Sequence, residues 1–71
     1  MSLKKELLSK LTEKQLKELA ESKGISFKMT EKQRKYYENW SDRERMIDIM
    51  NDTNDLTIKE IEEFIKSSIN R

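Results

Sequence analysis

With 71 residues, no cysteine, no histidine and no proline, the chain is expected to form one small domain, spanning residues 1–71. A core of that size supplies no more than about 3–5 kcal/mol, which argues against an enzyme with a deep cleft. The missing His and Cys exclude disulfides, zinc sites and imidazole-based acid–base chemistry.

No apolar run is long enough for a signal peptide or a membrane span, so an intracellular, membrane-free protein is the expectation. The abundance of Lys, Glu and Ile would suit a thermophile. Net charge is only +1, but it is unevenly placed. Residues 1–37 carry ten Lys/Arg against five Glu, and residues 38–71 carry five against nine acids. Such asymmetry marks either an interaction surface on the basic half or two halves that attract within one fold.

Ser2 is placed to cap a first helix with a stripe of Leu3, Leu7, Leu8 and Leu11. Glu6 and Lys10 have the favourable i,i+4 order on its wet side, as do Glu13 and Lys17 on the next helix. Thr12 and Gln15 have capping-box spacing and open a second helix, from Glu13 to about Lys23. Leu11 and Leu16 can staple its start, and Leu16, Leu19 and Ala20 face inward. Gly24, the sole glycine, suits the left-handed position after a helix, with Ile25 folding back on Ala20. Ile25, Phe27 and Met29 then alternate with polar residues, as in an extended connector.

Thr30-Glu-Lys-Gln33 repeats Thr12-Glu-Lys-Gln15, and reads as repeated capping chemistry rather than a duplicated unit. The helix it opens is expected to run from Glu31 to about Trp40. At about 100° per residue, Met29, Gln33, Tyr36, Tyr37 and Trp40 share one face. Lys32, Lys35 and Asn39 form a stripe on its flank, with Lys28 near the same edge. Cations beside aromatics can hold a phosphate backbone while a ring approaches the bases. The alternative is an aromatic core face with a solvated lysine flank.

Ser41 and Glu44 form a third box, for a helix to about Asn51 with Met46, Ile47, Ile49 and Met50 inside and Arg45 and Asp48 outside. Arg43 falls on the apolar side; its stem is expected to cover the core edge while its guanidinium reaches solvent. A cation in a first helical turn calls for a nearby anion, supplied by Asp42 and Glu44 or by a bound phosphate. Asn51 to Asp55 is a polar connector; it lacks the glycine of a calcium loop, and no metal is expected there. Thr57 and Glu60 make a fourth box, stapled by Leu56 and Ile61. The last helix presents Ile58, Ile61, Ile65 and Ile69 with Phe64 beside them, and should fray at Ser67, Ser68, Asn70 and Arg71. One glycine rules out a phosphate-cradling loop. Glu60, Glu62 and Glu63 lie among lysines on a wet face, so neither catalysis nor a cofactor is expected.

Leu11-Thr-x-x-x-Leu16-x-x-Leu19-Ala20-x-x-x-Gly24-Ile25 resembles the first half of a SAP module, the small helix–turn–helix of chromatin and DNA-repair proteins. Arg43-Glu-Arg-Met46-Ile47-Asp-Ile-Met50 resembles its second helix, with Arg43 at the usual lysine. The matching segments cover about a third of the chain. LEM-like and Rho N-terminal-like modules share the same small helical plan and can serve protein contacts. Where the SAP family has a brief polar turn that contacts DNA, this chain has Phe27 to Trp40, so the insertion either enlarges that face or abolishes it.

The expected architecture is an all-α domain of four or five short helices: a SAP-like core with an inserted aromatic and basic helix. The leading functional expectation is a non-enzymatic, double-stranded DNA-binding module of low sequence specificity. Lys28, Lys32, Lys35 and Arg43 would contact phosphate, and Tyr37 or Trp40 would add a stacking or groove contact. The alternative is a helical protein-interaction module within a larger assembly.

Overall fold

Every helix start in this chain is written by a side chain that closes on its own backbone, and all the predicted starts form. The computed structural model describes residues 2–69, which make five helices and no strand. They are α1 (Leu3–Leu8), α2 (Glu13–Ser22), α3 (Glu31–Tyr36), α4 (Asp42–Asn51) and α5 (Ile58–Ile69). Ser2, Thr12, Thr30 and Ser41 each accept the backbone N–H three residues on. Thr12 and Thr30 complete reciprocal boxes with Gln15 and Gln33, whereas the box expected at Ser41 and Glu44 forms only its first half, with no return bond from the Glu44 side chain among the described residues. Thr57 completes a box with Glu60, whose other carboxylate oxygen pairs with Lys23 at the end of α2. One glutamate thus starts α5 and ties it to α2. The pairs Glu6–Lys10 and Glu13–Lys17 do not close; among the described residues the ion pairs are Lys23–Glu60 and Asp42–Arg45.

Gly24 ends α2 at φ 68°, the left-handed region. Its N–H bonds to the Glu21 carbonyl and that of Ile25 to Ala20, so the two bonds make a Schellman motif. Residues 25–30 then alternate inward and outward, with Ile25, Phe27 and Met29 half-buried and Ser26, Lys28 and Thr30 exposed.

α1 packs on α4 and α5, and α2 packs on α4. The core is Leu7, Leu8, Leu11, Leu16, Leu19, Ala20, Met46, Ile47, Met50, Leu56 and Ile61, with Ile25, Phe27, Phe64 and Ile65 against it. The staples Leu11–Leu16 and Leu56–Ile61 are therefore inside, where each fixes the angle at which the chain enters its helix. No helix of the described residues is long and apolar enough to cross a membrane.

Several expectations need correction. Leu3 and Ile58, at the first positions of their helices, remain partly exposed, at 52% and 38%, because each stands a turn short of the packed face. Arg45 is half-buried rather than solvated, and its Nη1 lies 3.5 Å from Asp42 Oδ1. Ser67 and Ser68 are helical, since α5 runs through Ile69. Asn70 and Arg71, and the Ile69 side chain, lie outside the described residues.

Candidate nucleic-acid interface

α3 is the one helix that buries no residue among those described. It ends at Tyr36 rather than Trp40, and residues 37–39 form turns, closed by the Tyr37 N–H on Gln33 and the Trp40 N–H on Tyr37. The reason is visible in the sequence after the capping box. Arg34 stands where α2 has Leu16, so α3 lacks the apolar anchor that follows the box in α2. A six-residue helix without burial cannot propagate on propensity alone.

The aromatic face nonetheless assembles. The rings of Tyr36 and Tyr37 meet edge-on at 4.8 Å, those of Tyr37 and Trp40 edge-on at 5.0 Å, and Tyr36 leans on Trp40 at 5.5 Å. Such geometry suits the ring quadrupoles. Tyr36 is 63% exposed, while Tyr37 and Trp40 are half-buried. The Tyr37 hydroxyl donates to Asp48 Oδ2 at 2.6 Å, bridging from the end of α3 to α4. That hydrogen bond to a carboxylate holds the phenol proton and, with burial, pushes the Tyr37 pKa up to about 12. Asp48 was expected to face solvent; it is the anchor of the aromatic cluster.

Lys28, Lys32 and Lys35 are all exposed, and among the described residues no carboxylate pairs with them. Lys32 and Lys35 lie three apart on one face of α3. The stripe stops there, because Asn39 sits in the turn beyond the helix.

Arg43 is placed differently. Its Nε donates to the Leu11 carbonyl at 3.1 Å and its Nη2 donates to the Ser9 carbonyl. Ser9 caps the C-terminal end of α1, where carbonyls lack helical partners and favour a cation. Two donors of this first-turn cation are thus taken by neutral carbonyl oxygens rather than by an anion. Half-buried, Arg43 reaches those atoms and locks the α1–α2 corner onto α4.

Beside that lock is an open groove of about 690 Å³, walled by Lys5 and Ser9 of α1, Trp40, and Arg43 and Ile47 of α4. Trp40 and Arg43 are thus brought together, whereas Lys28, Lys32 and Lys35 lie outside the groove. Tyr36 joins the two regions: it follows Lys35 in α3 and touches the Trp40 ring.

Comparison with protein-family models, curated proteins and solved structures returns no match. The site is therefore read from its own residues. Sequence reasoning passed over Tyr36, the ring most open to a partner, in favour of Tyr37 and Trp40. Its signal was the step from Tyr36 to Tyr37 at the very end of a short amphipathic helix. Adjacent positions there turn by about 100°, so only one of the two can face α4.

Proposed function

We propose that this protein is a non-enzymatic nucleic-acid-binding module that contacts the phosphate backbone, with duplex DNA as its leading ligand and little sequence specificity. The observation that carries the reading is that Lys28, in the connector, and Lys32 and Lys35, on α3, are all exposed with no acidic partner among the described residues. Lysine is a point charge that meets phosphate without reading a base edge, which accounts for low specificity. Tyr36 stands at the end of α3 as an exposed ring. The SAP-like spacing from Leu11 to Ile25 supports the same reading, since it aims the chain after Gly24 into the region where that family meets DNA. Arg43 contributes by holding the corner together, with its remaining donors secondary to the lysines.

The test is titration of a duplex at two salt concentrations. With three phosphate contacts, affinity should fall roughly tenfold or more between about 50 and 200 mM salt. Each Lys→Ala change at positions 28, 32 and 35 should lower the salt slope by about one. Absence of duplex binding at about 50 mM salt overturns the proposal.

A second reading, a helical protein-interaction module, draws on Leu3 and Ile58, at 52% and 38% exposure on the packed pair α1 and α5. It is separated from the first by Leu3→Ser, which would weaken a protein contact and leave duplex binding unchanged.

A further inference from the structure

The groove between α1 and α4 is not accounted for by phosphate contacts, and its chemistry is unlike that of the exposed lysines. Its volume lies within the range of small-molecule sites, and Trp40 and Ile47 give it apolar surface. Two carboxylates, Glu6 and Glu44, line it together with the amide of Asn39. Carboxylates repel a phosphate, but they accept hydrogen bonds from the exocyclic amino groups of bases. Lys5, also on the wall, is a cation at the groove itself. Arg43 is pinned by the Leu11 and Ser9 carbonyls, so the wall it forms is preorganised.

We infer that this groove receives one unpaired nucleobase, stacked against Trp40, while Lys5, Lys28, Lys32 and Lys35 hold the flanking phosphates. The inference rests on the nucleic-acid reading above and deepens it: the ligand is a strand with an unpaired base, at a bulge, a junction or an end, in preference to an intact duplex. Charge complementarity selects this occupant. A base offers a flat apolar face to the ring and amino donors to Glu6 and Glu44, and its phosphates stay outside near cations. Tyr36, at the end of α3, leans on Trp40 at 5.5 Å, so the ring cluster reaches from α3 to the groove. An aromatic ring that stacks a base works with any sequence, which agrees with low specificity.

Trp40 is the sole tryptophan of the chain, so its emission reports on this groove directly. The experiment titrates the full chain with inorganic polyphosphate, a blunt duplex, and the same duplex carrying one unpaired adenine, at about 50 mM salt. Binding of the two DNAs is followed by anisotropy of a label on the DNA. The unpaired base should quench Trp40 and bind roughly tenfold or more tighter than the blunt duplex, whereas polyphosphate should compete without quenching. Ser9→Phe, which fills the groove from α1, should equalise the two DNA affinities. Equal affinities of the native protein for both DNAs, or Trp40 emission unchanged at saturation, overturn the inference and leave the phosphate reading standing. Binding of neither DNA overturns both. Emission that is silent to DNA but shifts with an amphipathic Leu/Lys peptide makes the groove a protein-docking site, which also overturns the inference.

Discussion

α2 and α3 begin with the same four residues, Thr-Glu-Lys-Gln, and with the same chemistry. In each the threonine hydroxyl accepts from the glutamine N–H, at 3.2 and 3.3 Å, and the glutamine oxygen accepts from the threonine N–H, at 2.9 and 3.0 Å. Yet α2 continues for ten residues and buries Leu16, Leu19 and Ala20, whereas α3 stops after six and buries none. A capping box starts a helix; an apolar face decides how far it runs. The same difference divides the molecule by role. α2 has its apolar side chains committed to the core. α3 holds its lysines outward with no ion-pair partner among the described residues, and the rings of Tyr36, Tyr37 and Trp40 and the Tyr37–Asp48 bond tie its end to α4.

The largest expected effect tests the burial half of that contrast. Leu16→Ala empties a fully buried site and should cost about 2–5 kcal/mol by chemical denaturation. That is most of what so small a core supplies, so the variant should be largely unfolded at ambient temperature. An intact α2 in this variant would show that capping alone sustains it.

Gly24→Ala comes next. A Cβ there meets nothing within 4 Å, so the cost is confined to placing alanine at φ 68°, about 1–2 kcal/mol. Thermal melting should fall by roughly 4–8 °C per kcal/mol for a domain of this size.

The capping residues provide the internal control. Thr12→Ala should destabilise the domain by about 1 kcal/mol. Thr30→Ala, with identical hydrogen bonds, should change global stability by under about 0.5 kcal/mol, because α3 adds little to the core. Equal losses in the two variants would erase the distinction between scaffold and arm.

The last expected effect is local. Tyr37→Phe removes the bond to Asp48 and should cost about 1 kcal/mol or less. In the native protein this phenol titrates near 12, above its ordinary value of 10.0, because the folded state favours the protonated form. Its contribution is therefore whole below pH 10 and lost as pH rises through 12. Phenolate absorbance should show that late step in the native chain and lack it in Tyr37→Phe. A native titration complete by pH 11 would mean that the hydroxyl is not held.

Much of the scaffold was legible because its signals are local. The three boxes that close, the Ser41 cap, the staples Leu11–Leu16 and Leu56–Ile61, and the Gly24–Ile25 ending each involve residues within six positions of one another. The lysines could likewise be read as solvated from their place beside the connector and on α3. What escaped were contacts between residues distant in sequence. Nothing near Arg43 announces that its guanidinium will meet the carbonyls of Ser9 and Leu11, more than thirty positions earlier. Nor does the spacing of Tyr37 and Asp48 mark them as partners, since the turns at 37–39 had first to reverse the chain. The groove was invisible for the same reason: its walls come from α1, the turn and α4.

The amino-acid sequence by itself determined that the chain is helical, where its helices start, most of the side chains that fill the core and that Lys28, Lys32 and Lys35 are exposed. These follow from hydrogen bonds and apolar periodicity within one or two turns. The tertiary structure alone decided where α3 stops, that Arg43 closes a corner, that Tyr37 turns inward while Tyr36 stays outside, and that Trp40 faces a groove. Each of those depends on which surface a neighbouring helix leaves available, and that is settled only when α1 packs on α4 and α5 and α2 packs on α4.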